Sequence, residues 1–215
     1  VPRADSPPIR RFASGRAWAA WLKRNYDRSS GLWLQIAKKH ADVSSVSYPE
    51  ALDAALCYGW IDGQKRPQSA TFWLQKFGPR TRKSLWSRIN RGKALALVAA
   101  GKMRPPGLAE IERAKADGRW EAAYDSPRAS TTPEDLESAL KRNAKARRFF
   151  ESLDRVNRYA ILFRLQTAKK AETRARRLAD FLKMLERGRK IHEAPRKRAV
   201  SRPPRAAPAR RRMTK

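Results

Sequence analysis

A chain of 215 residues with 50 Lys and Arg against 20 Asp and Glu carries a formal net charge of +30, and its length suits one ordinary domain with an appendage. The single cysteine excludes an internal disulfide, and two His with that Cys are too few for an ordinary zinc site. No apolar run approaches the ~18 residues of a membrane-spanning helix.

In chain order, residues 1–12 are basic and rich in proline, lack the apolar core of a signal peptide, and read as a mobile segment. Ser14 offers an N-cap to RAWAAWLKRNY, in which Trp18, Trp21 and Leu22 follow the spacing of a buried helix face. LWLQIAKK then alternates, with Leu32, Leu34 and Ile36 on one face and Trp33 and Gln35 on the other, as a strand does. Ser47 and Glu50 in SYPE predict a capping box with proline in the first turn, and ALDAALCY continues that helix to Gly59. Trp60 to Lys65 and ATFWLQKF predict two strands joined by a turn at Pro67 to Ser69. Ser84 reads as the cap of a helix ending at Gly101, and PPGLAEIERAKADG as a second helix ending at Gly118.

After the polar bridge EAAYDSPRAS, Thr132, Pro133 and Asp135 open a helical stretch that runs to Gly188, its last helix bearing an apolar stripe of Leu178, Phe181, Leu182 and Leu185. Residues 191–215 hold four prolines and little apolar content and read as disordered. The expected fold is therefore α+β: a small antiparallel sheet packed with helices, then a C-terminal helical subdomain and a disordered basic tail. The expected division is 1–12, 13–125, 126–190 and 191–215.

Few residues here point to catalysis. Cys57 ends an apolar helical run, where a helix C-terminus raises a thiol pKa, so a core role is favoured over a nucleophile. The sequence has no GxxxxGK[ST], GxGxxG or GxSxG, and no cofactor or metal is expected. The Asp62 carboxylate sits between Trp60 and Gly63, either holding backbone NH groups of a turn or serving as an acid or base. The segment GPRTRKSLWSRIN gathers Arg80, Arg82, Lys83, Ser84, Trp86, Ser87 and Asn90 about a helix start, a pattern suited to an anion. The alternative is ordinary: Trp86 as core, Ser84 as cap and the cations solvated.

The ordered motifs WLKRNY, GLWLQIAKK, SYPEALDAALCYGWIDG, FGPRTRKSLWSRIN, AAGKMRPPGLAEIERAKADGRW and KKAETRARRLADFLKMLERG resemble the YdeI/OmpD-associated, bacteriocin-protection family over roughly Phe12 to Gly188. The resemblance implies a bacterial protein linked to tolerance of bacteriocins or antimicrobial peptides, and no particular reaction. It places that family's signatures on Gly59 to Gly63, on Pro79, Arg80, Ser84, Trp86, Ser87 and Asn90, and on Met103, Pro105 and Gly107.

Two functions are expected from these readings. The first is a non-enzymatic cytoplasmic protein that binds nucleic acid or another polyanion in a salt-sensitive way, aided by tail residues Arg196, Lys197, Arg198, Arg202, Arg205, Arg210, Arg211 and Arg212. An anionic membrane surface or an envelope protein is a further partner under this reading. The second is an enzyme or small-anion-binding protein whose pocket lies between the Gly59–Gly63 turn and the Arg80–Asn90 helix start.

Overall fold

The computed structural model describes residues 7–193, and the tail cations from Arg196 onward lie outside them. Within the segment expected to be mobile, β1 (Ile9–Arg10) pairs in parallel with β2 (Leu32–Ala37). Between them runs α1 (Gly15–Asn25), capped by Ser14, whose side chain accepts the Ala17 N–H. Next come α2 (Tyr48–Cys57), β3 (Trp60–Pro67) and β4 (Phe72–Pro79). The sheet order is β1-β2-β4-β3, antiparallel except at β1, so the expected antiparallel sheet gains one short parallel edge.

The alternation in β2 works as predicted. Leu32, Leu34 and Ile36 enter the core with Phe77 of β4, beneath Trp18 and Leu22 of α1 and Leu52, Ala55 and Leu56 of α2. Two buried indoles find carbonyl partners: Trp18 Nε1 donates to Ala51 O (3.0 Å) and Trp60 Nε1 to Tyr26 O (2.9 Å). Both satisfy a donor that would otherwise be stranded in apolar surroundings. The capping box at Ser47 and Glu50 is complete and opens α2 over the sheet.

Two further helices, α3 (Arg88–Ala99) and α4 (Pro105–Ala116), finish the first half. The cap of α3 is Ser87, which accepts the Asn90 N–H, and the predicted cap Ser84 instead accepts the Thr81 N–H in the preceding turn. The start of α4 packs tightly on the end of α2. A Cβ on Gly107 would fall 2.5 Å from Cys57 O, and Gly59, at φ +71°, faces Pro106 O. The glycines at these two positions are thus a packing device, allowing backbone to approach backbone.

The second half is helical throughout its regular structure: α5 (Glu134–Lys141), α6 (Ala144–Ser152), α7 (Arg155–Gln166) and α8 (Ala171–Glu186). Leu136, Leu140, Phe150, Ile161, Leu165, Phe181 and Leu185 form a hydrophobic cluster separate from that of the sheet. Asp125 ties the halves: its carboxylate meets Arg88 Nη1 at 3.1 Å and Gln166 Nε2 at 2.8 Å, and its carbonyl accepts Tyr159 OH at 2.9 Å. Tyr124 and Phe163 add an edge-to-face contact at 4.9 Å. Among the described residues no helix is long and apolar enough to cross a membrane, and no group of three metal-ligating side chains assembles.

Candidate functional site

Residues 80–87 connect β4 to α3. The strand ladder ends with Arg80 N donating to Gly59 O at 3.0 Å, so the GWIDG segment and the Arg80 segment touch through backbone. The Arg80 side chain then turns inward. Only 5% exposed, it lays its guanidinium 3.6 Å over the Trp86 ring and donates Nη1 to Leu85 O at 3.1 Å. Its Nε and Nη2, with Trp86 Nε1, are buried and have no hydrogen-bond partner among the described residues. Desolvation pulls the Arg80 pKa down to about 10, with the charge of Glu110 opposing that shift and Arg119 adding to it.

Beneath it lies a charged group that sequence reading missed. Glu110 is 1% exposed and receives Arg119 Nη1 at 3.0 Å. Arg113 Nη2 comes within 2.6 Å of the other carboxylate oxygen, an ionic contact not aligned as a hydrogen bond. Arg119 also donates Nε to Asp117 and Nη1 to Ser84 O. The arginine that engages Glu110 follows the helix-ending Gly118, beyond any helical periodicity along α4.

Asp62 takes a different position. It is half-buried on the helix-bearing face of β3, opposite Phe77, and accepts the Tyr48 hydroxyl at 2.9 Å. Burial, reinforced by Asp62, raises the Tyr48 pKa well above 10. Tyr124 is raised by burial and by Asp62, while Arg80 and the Ser87 hydroxyl act the other way. Asp62 thus acts on both phenols, through a hydrogen bond at Tyr48 and through its charge at Tyr124. Tyr48 was legible only as part of the capping box, and Tyr124 lay in a bridge without periodicity.

The remaining predicted residues separate. Arg82 and Lys83 are exposed, Ser84 holds the turn, Ser87 caps α3, and Trp86 is core at 2% exposure. Asn90 is half-buried in the first turn of α3. Asp62 borders an open depression of about 390 Å³ with Ser30, Gly63, Lys76 and Pro79, and Arg80 is not among its lining residues. The predicted core role of Cys57 agrees with its burial, which raises the thiol pKa.

Comparison with known families divides the chain in two. Residues 10–110 match a domain of unknown function, DUF8412. Residues 129–188, comprising α5 to α8, match the family described as bacteriocin-protection, YdeI or OmpD-associated. That match spans 60 of the 215 residues and does not reach the sheet-bearing half. Of the six motifs that carried the resemblance, KKAETRARRLADFLKMLERG lies inside the family segment, and the first four lie inside the DUF8412 match. The family suggests a role in bacteriocin protection or stress. No curated protein and no solved structure matches the chain.

Proposed function

We propose that the protein contributes to bacteriocin tolerance or a related stress response as a non-enzymatic cytoplasmic binder of polyanions, with nucleic acid the best-suited partner. The observation that carries this reading is the net charge of +30, with Lys38, Lys39, Lys65, Arg66, Arg82 and Lys83 exposed on the sheet-bearing half. Such a surface gains affinity by releasing condensed counterions from a phosphate backbone. Direct capture of cationic peptides is disfavoured, because like charge repels them. Binding of a labelled nucleic acid should weaken by roughly 10³-fold or more between 50 and 200 mM salt if about six phosphates are engaged. It should also weaken when residues 195–215 are deleted. Salt-insensitive binding, or none at 50 mM, overturns the reading.

A second reading, a small-anion site or enzyme, is favoured by the unpartnered donors of Arg80 and Trp86. Inorganic phosphate should then raise the melting temperature of the wild type and fail to do so in Arg80→Lys, which keeps the charge but loses the fork of donors. Absence of a shift in the wild type dismisses it.

A further inference from the structure

The far end of the β3–β4 hairpin holds a cleft of about 330 Å³ lined by Lys38, Lys65, Arg66, Pro67 and Trp73. Strand register explains how these residues meet. Trp73 pairs with Ile36, a core residue, so its ring leaves the sheet on the helix-bearing face. There it lies half-buried, 6.0 Å from the ring of Tyr48, whose hydroxyl is held by Asp62.

A β-bulge between Asp62 and Lys65 then shifts the β3 register against β4 by one residue. Without it Lys65 would oppose Leu74 on the outer face; with it Lys65 opposes Gln75 and stands on the face of Trp73. The buried Gln75 side chain secures the bulge by donating to Gly63 O at 2.8 Å and Gln64 O at 3.3 Å. Lys38 is positioned at the rim by its bond to Ser69 O at 2.8 Å. Lys65 has no acidic partner among the described residues, while Arg66 stacks over Trp33 on the opposite face, 4.2 Å from the ring.

An aromatic ring flanked by two lysines matches the chemistry of a single strand, with a π-face for an unpaired base and cations for the phosphates beside it. A duplex keeps its bases stacked inside and cannot offer them to such a cleft. We propose that this cleft binds single-stranded nucleic acid, with one base against Trp73 and flanking phosphates on Lys38 and Lys65. This rests on the polyanion reading above and gives it a site.

The test uses the full chain, a labelled oligothymidylate of about 12 nucleotides, a duplex of equal length, and fluorescence anisotropy across about 50 to 200 mM salt. Trp73→Leu should weaken strand binding about fivefold or more with the salt slope unchanged, and should leave duplex binding as it was. Lys65→Ala, an exposed change that spares the fold, should reduce the slope of log affinity against log salt by about 0.7. If both variants bind the strand as the wild type does, the cleft is not the site and the polyanion reading survives. If only Lys65→Ala weakens binding while a folded Trp73→Leu does not, bases do not stack there and the proposal is overturned. A wild type that binds no strand at the lowest salt removes both.

Discussion

Single side chains show most clearly how burial and charge are reconciled here. Glu110 and Arg119, 1% and 4% exposed, are affordable in the interior because each faces the other at 3.0 Å. Glu110→Gln leaves the Arg119 charge with only Asp117 and takes the nearest opposing charge from Arg80, so a loss of about 3 kcal/mol is expected in urea denaturation. The phenols behave differently. Tyr48, Tyr124 and Tyr159 are all raised, chiefly by burial, and Tyr159 reaches about 12. A raised folded-state pKa favours the native state fully below the ordinary value near 10, and that contribution is lost as pH rises through the folded value. Urea stability should therefore decline from about pH 10 upward, and the tyrosinate absorbance should show a step near 12 that Tyr159→Phe lacks.

Helices and strands were legible in proportion to how local their signals were. Ser14 and the Ser47–Glu50 box name their helices because the capping bonds lie within three residues of the cap. At α3 the sequence points to Ser84, and tertiary contact moves the cap to Ser87: Tyr124 bridges Ser87 and accepts the Arg88 N–H, leaving Ser84 to the turn. Strand β1 is two residues long and has no period to detect. The junction of α2 and α4 depends on one missing methyl. Gly107→Ala places a Cβ against Cys57 O, Leu56 O and the Met103 sulfur, and should cost about 1–3 kcal/mol, seen as a lower urea midpoint at unchanged m.

Among the described residues two hydrophobic clusters are joined by polar contacts at Asp125 and one aromatic pair. We propose that the expected division near residues 125 and 126 marks two units that open separately. Leu165, fully buried in the helical cluster, supplies the probe. Leu165→Ala should cost about 2–5 kcal/mol and accelerate amide hydrogen exchange in α5 to α8 while β2 and β4 keep their protection. Equal acceleration in both halves would show a single cooperative unit. The family segment at 129–188 coincides with this second cluster, whereas the hairpin cleft and the buried arginines belong to the first.

The α+β class, the helix caps at Ser14 and Ser47, the core faces of β2 and α8 and the large positive charge can all be read along the chain, because each is written in neighbouring residues or along one face of an element. The fate of the charged and polar residues depended on packing. Arg80 turned inward onto Trp86, Glu110 met an arginine from beyond its helix, and Asp62 joined Tyr48 from an element fourteen residues earlier. A one-residue bulge likewise carried Lys65 to the face of Trp73. Periodicity says which face of an element is apolar; only packing says which polar groups arrive opposite it.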